Sequence, residues 1–154
     1  GLYLSYIPTW LFGTFLKRMG VRFWTGAGFV GTLLGWVTVY LLPIGGADLA
    51  LTLSVGTASA CFIAHYADKC FAKKDDSKII IDEVVGFWVA VAGLGRGPVV
   101  LITAFVIFRL LDTIKLPPYK WLENLPGGAG IVFDDIGAGI FTNMILRVVL
   151  SGYV

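Results

Sequence analysis

Three short segments carry half of the 10 acidic residues of this chain: IIIDEVVG at residues 79–86, FRLLDTIK at 108–115 and GGAGIVFDD at 127–135. Each sets carboxylates at the edge of an apolar run, namely Asp82 and Glu83, then Asp112, then Asp134 and Asp135. A charge at the centre of a bilayer costs about 2.5–3.5 kcal/mol on insertion scales, and less toward the interface. Several at one depth also repel each other. A divalent cation relieves both costs, and hard carboxylate oxygens suit Mg²⁺. For any one of these acids the plainer reading is a solvated helix cap. Their recurrence in three segments favours a metal site.

The same segments carry groups suited to a phosphate. Arg109 and Asp112 are three residues apart, so on a helix they share one face. That spacing allows a local ion pair, or a guanidinium steadied by Asp112 and offered to a phosphate, which its planar fork matches. Lys115 follows one turn later and adds a second positive contact. Gly127, Gly128 and Gly130 precede the Asp134–Asp135 pair. Glycines there let backbone N–H groups approach an anion at the start of a helix, or form a plain turn. Gly86, Gly137 and Gly139 read as helix-packing positions.

The elements that must position these groups are apolar helices. The 154 residues are 57% hydrophobic and only 14% charged, with a mean hydropathy of +0.84. That balance is typical of an integral membrane protein. Spanning hydrocarbon takes roughly 20 apolar residues in a helix, and fewer where its ends thin the bilayer. Five stretches qualify: GFVGTLLGWVTVYLLP, ADLALTLSVGTASACFIAHYA, IIIDEVVGFWVAVAGLG, VVLITAFVIFRLLDTI and IVFDDIGAGIFTNMILRVVL. The expectation is an all-α, single-domain membrane bundle over residues 1–154, with five membrane helices behind an N-terminal interfacial one. The opening GLYLSYIPTWLFGTFLKRMG does not read as a signal peptide, because Lys17 and Arg18 follow its apolar run.

Basic residues set the orientation. With the N-terminus cytoplasmic, all but Arg96 and Arg147 of the 12 lysines and arginines fall on the cytoplasmic side. The acids sort the same way, Asp48 alone excepted. The three acidic segments therefore meet at one membrane face.

Several chemistries are excluded. His65 is the only histidine, so the two-histidine chemistry of type-2 phosphatidate phosphatases and a serine triad are both out of reach. Cys61 and Cys70 form no CxxC pair, and neither has an arginine six residues on, as a cysteine phosphatase requires. The net charge of +2 and the apolar composition do not suit nucleic-acid binding. No segment points to an obligate protein partner.

In order and spacing, IIIDEVVG, FRLLDTIKLPP and LPGGAGIVFDDIGAG closely resemble the motifs of the phosphatidylglycerophosphatase A family, across roughly residues 73 to 139. That pattern runs DE-x-VG, then FR-x-FD-x-x-KP-x-P, then GG-x-G-(I/V)-x-x-DD-x-x-AG. The segment GAGFVGT at 26–32 is more weakly similar to the family's APGTWGS. Leu111 and Leu116 depart from the usual Phe and Pro, but every charged position is kept. The resemblance implies a Mg²⁺-dependent phosphatase of the bacterial cytoplasmic membrane, acting on the phospholipid phosphatidylglycerol phosphate. On this reading Asp82, Glu83, Asp134 and Asp135 hold metal, Arg109, Lys115 and the Gly127–Gly130 backbone hold phosphate, and Asp112 orients Arg109. Phosphatidate, a polyprenyl phosphate and, in another class, cation transport are the alternatives.

Overall fold

The computed structural model describes residues 26–41, 47–70, 80–114, 121–125 and 128–151. Every regular element among them is helical: α1 (Gly26–Leu41), α2 (Ala47–Cys70), α3 (Ile81–Ala90), α4 (Pro98–Ile114) and α5 (Gly128–Val149), with a 3-10 turn at Trp121–Asn124 before α5. The expected interfacial helix, Lys115 and Gly127 lie outside the described residues.

Local sequence explains several of these boundaries. Pro98 opens α4, where a missing N–H costs nothing and the fixed φ suits a first helical residue. The sequence Pro117–Pro118 follows shortly after Ile114, and proline is a poor residue for continuing a helix. α5 starts at Gly128, so Gly128 and Gly130 belong to its first turn rather than to a loop.

The third apolar stretch behaves differently from expectation. Its helix, α3, is only 10 residues long. At a helical rise of about 1.5 Å per residue that is roughly 15 Å, half the thickness of a hydrocarbon core. The chain turns after Ala90, and Gly93 takes a left-handed φ of +67°. Glycine adopts that conformation without penalty. In apolar surroundings such an open helix end leaves carbonyls without donors. Asn143 of α5 supplies them: its Nδ2 donates to the carbonyls of Val89 at 3.3 Å, Ala90 at 3.0 Å and Ala92 at 2.9 Å. Arg147 adds a bond from Nη2 to Ala92 O and holds Asn143 Oδ1 through Nε. A side chain distant in sequence thus makes the early stop possible.

α3 is the hub of the bundle, touching all four other α-helices and packing most extensively on α5. Its Phe87 is fully buried and meets Phe108 and Phe105 of α4 edge-on. Trp88 donates through Nε1 to Thr38 Oγ1 of α1 at 2.8 Å and lies against Gly56 of α2. Among the described residues, the large exposed apolar side chains come from the other elements. They include Leu33, Val37 and Tyr40 on α1, Leu51, Val55 and Phe62 on α2, Ile102, Val106 and Leu110 on α4, and Met144 and Val148 on α5. A bundle apolar on its outside as well as its inside suits a lipid surround. Two spans, Ala47–Tyr66 and Ala129–Val149, are long and apolar enough to cross a membrane.

Candidate metal and phosphate site

The acids lie where α3, α4 and α5 meet. Asp82 and Glu83 occupy the first turn of α3, Asp135 lies two turns into α5, and Arg109 and Asp112 share a face of α4. Asp82, Asp134 and Asp135 are buried, at 6%, 5% and 5% exposure. Burial of carboxylates to that degree demands a compensating partner.

Backbone approach creates the convergence. Gly86 and Gly139 sit at the crossing of α3 and α5, and a Cβ on Gly139 would collide with the carbonyl oxygen of Gly86. A Cβ on Gly86 would stand 2.9 Å from the carbonyl oxygen of Asp135 and 2.8 Å from Phe108 Cζ. The packing role expected for these two glycines is met, and its consequence is functional. Without side chains between the helices, Asp135 arrives beside the Asp82–Glu83 pair.

One carboxylate oxygen from each of Asp82, Glu83 and Asp135 lies within 4.8 Å of the others. Two unit charges at that spacing repel by roughly 3.5 kcal/mol at an effective dielectric of about 20. Asp82 Oδ1 and Glu83 Oε2 are also buried with no hydrogen-bond partner among the described residues. Two buried α3 oxygens without donors, with a carboxylate oxygen of α5 brought beside them, make the donor set a hard cation takes. The three residues can hold a metal ion.

Asp134 is equally buried and engaged in an interaction of its own, but lends no atom to this cluster. Adjacent residues on a helix point about 100° apart, so one of the Asp134–Asp135 pair faces α3 and the other does not. The expectation that both join one cluster with Asp82 and Glu83 is met by Asp135.

Arg109 donates from Nη1 to Asp112 Oδ2 at 2.6 Å, and the two side chains are 10% and 17% exposed. Its Nε is buried and unpartnered among the described residues. The expected pair is therefore formed, with the buried Nε–H of the guanidinium left over. Gly130 is buried in the first turn of α5, and Gly128 heads that helix.

Two residues not singled out as site residues from sequence also border the cluster. Gly28 of α1 lies directly against Arg109 and Glu83, and Gly31 against Glu83 and the Ile80 carbonyl. Their only signal in sequence was the weakly similar GAGFVGT segment, and among 20 glycines that spacing is not distinctive.

Fold and site together define an all-helical protein, apolar on its outer faces, with a buried carboxylate cluster suited to a cation and an arginine beside it. The chain belongs to the phosphatidylglycerophosphatase A family, whose pattern it matches over residues 11–150, and it is an enzyme of the phosphoric monoester hydrolase class. Among curated relatives, it is 34% identical over 99 residues to a phosphatidylglycerophosphatase A of Escherichia coli K12, covering 63% of this chain and 58% of the relative. It is 27% identical over 125 residues to one of Haemophilus influenzae, covering 79% and 75%. A protein of Bacteroides thetaiotaomicron, provisionally named a phosphatidylinositol-3-phosphatase, is 31% identical over 130 residues, covering 79% of this chain and 81% of its own. No solved structure matches the chain.

Proposed function

We propose that this protein hydrolyses the terminal phosphomonoester of phosphatidylglycerol phosphate to phosphatidylglycerol and phosphate, with Mg²⁺ as cofactor, at the cytoplasmic face of a bacterial inner membrane. In this reading the chain is one membrane-embedded domain of five helices, of which α3 reaches only part of the way across. The carrying observation is the convergence of Asp82, Glu83 and Asp135 beside the half-buried Arg109–Asp112 pair, in a chain of this family. Oxygens that lack donors favour a cation, and a neighbouring guanidinium with a spare N–H favours an anion.

Asp82, Glu83 and Asp135 hold the metal, with Asp134 joining directly or through water. When bound, Mg²⁺ neutralises charge on the phosphate and activates water. Arg109 binds a phosphate oxygen, positioned by Asp112, whose grip on Nη1 fixes the plane of the guanidinium. Lys115 and the backbone of Gly127, Gly128 and Gly130 complete the phosphate pocket, at a helix start whose free N–H groups favour negative charge. A carboxylate free of metal either takes the proton of the attacking water or attacks phosphorus itself; trapping a phospho-aspartyl adduct distinguishes the two.

The name of the Bacteroides relative favours a second reading, in which the monoester is carried by a phosphoinositide. One assay decides. Purified protein in mixed micelles is given phosphatidylglycerol phosphate, phosphatidylinositol 3-phosphate, phosphatidate and a polyprenyl phosphate in parallel, with Mg²⁺ or with EDTA. Fastest phosphate release from the first, abolished by EDTA, is the expected result. Release from none of them, or release unaffected by EDTA, defeats the proposal.

A further inference from the structure

Glycines 28, 31 and 35 line the face of α1 that packs on α3, but they do not meet the same things. A Cβ on Gly35 would meet the Cβ of Phe87 at 3.0 Å and the Cα of Val84 at 3.3 Å, both fixed parts of α3. On Gly31 it would meet Glu83 Oε2 at 2.9 Å, Ile80 O at 3.0 Å and Glu83 Cβ at 3.1 Å. On Gly28 it would meet Arg109 Nη1 and Nη2, each at 2.8 Å, and Glu83 Oε1 at 2.9 Å.

The gradient has a mechanical meaning. An alanine at 35 presses on fixed core atoms, whereas an alanine at 28 presses on the ends of two flexible side chains. Those ends yield without unfolding anything, and they are the carboxylate and guanidinium of the site. Gly28 therefore marks one point of α1 against which both groups rest. Glu83 carries one of the unpartnered buried oxygens, and Arg109 the unpartnered Nε. Glu83 therefore keeps its direction only if something behind it blocks the alternatives, and Arg109, gripped by Asp112 through Nη1 alone, is steadied from its other side by the same backbone.

We propose that Gly28, supported by Gly31, is a positioning residue: the bare backbone of α1 backs Glu83 and Arg109 and holds them in register, the carboxylate toward the metal cluster and the guanidinium toward Asp112 and the phosphate. This inference rests on the proposed reading of the site. It adds that α1, which contributes no functional side chain to the site, sets the geometry of both its halves.

The test compares Gly28→Ala and Gly35→Ala in the full chain, using thermal stability, Mn²⁺ affinity by electron paramagnetic resonance, and separate kcat and KM. Gly28→Ala is expected to melt with the wild type, to bind Mn²⁺ about 10-fold or more weakly, as loss of an outer-shell support does, and to show a raised KM. Gly35→Ala is expected to melt lower with Mn²⁺ affinity kept. Wild-type affinity and kinetics in Gly28→Ala overturn the inference. So does parallel loss of stability and affinity in the two variants, or a Gly28→Ala protein that fails to fold, since the glycine would then serve packing alone. If the wild type releases no phosphate from any lipid, the proposed function fails, while the Mn²⁺ and melting measurements still decide this point.

Discussion

Gly86 and Asp135 touch across the crossing of α3 and α5, with the position of a Cβ on Gly86 only 2.9 Å from the Asp135 carbonyl oxygen. This contact between two backbones, far apart in the chain, delivers the third carboxylate to the cluster. Packing and chemistry share the same atoms there, so they can be tested together.

Gly86→Ala must separate α3 from α5 or displace Phe108, whose Cζ would lie 2.8 Å from the new methyl. Overpacking of this kind costs about 1–3 kcal/mol. A lowered melting temperature is expected, together with lost turnover, because Asp135 moves away from Asp82 and Glu83. Full activity in a destabilised variant would separate the packing role from the site.

Asp135→Asn and Asp82→Asn each keep the size of the side chain and remove a charge from the cluster. Turnover should fall at least about 100-fold, since even an outer-shell support of a metal is worth roughly 10- to 100-fold. The fold should persist, because like charges within 4.8 Å repel less once one is gone. Phosphate release and a thermal melt without metal check the two halves. An active Asp135→Asn protein would remove the metal from this location.

Arg109→Lys retains a positive charge but not the planar fork that reaches Asp112 with one N–H and keeps another. Its kcat/KM for phosphatidylglycerol phosphate is expected to fall by about 1.5–3 kcal/mol in transition-state terms, the range for a charge-assisted hydrogen bond. Asp112→Asn should do less, since it loosens the guanidinium without removing it. Equal loss in the two variants would mean that the pair acts as a unit.

Asn143→Leu tests the early end of α3, away from the site. It preserves shape and removes the donor shared by the Val89, Ala90 and Ala92 carbonyls. The Val89 carbonyl keeps the Ala92 N–H and the Ala92 carbonyl keeps Arg147 Nη2, so the loss falls mainly on the Ala90 carbonyl, and a buried acceptor left without a donor costs about 1–3 kcal/mol. Stability should drop by that much in a denaturation measurement, while the KM of the surviving folded enzyme stays at its wild-type value.

Much of the site was legible from residue type and spacing. Acids next to apolar runs are costly. Asp82, Glu83, Asp112, Asp134 and Asp135 therefore stood out against a background that is 57% hydrophobic. The spacing of Arg109 and Asp112 places them on one helix face wherever that helix lies, and the pair formed as expected. Helical class followed equally directly from long apolar stretches bounded by prolines and glycines.

The tertiary structure alone decided the rest. The apolar run FWVAVAGLG reads the same as a full span or as a half-length helix, and the difference came from Asn143, distant in the chain, which caps α3 at Ala90. Which of Asp134 and Asp135 enters the cluster depends on the rotation of α5 about its axis, set by the Gly86–Gly139 contact. Gly28 carries no group that the sequence could mark as functional; it matters because Arg109 and Glu83 rest on it. Sequence alone determined which charged groups this protein holds and how they are spaced within each segment, since those follow from the local chain and the cost of charge in apolar surroundings. Only the packing of helices decided which atoms face one another, because rotation, crossing and close approach are set by contacts between residues distant in the chain.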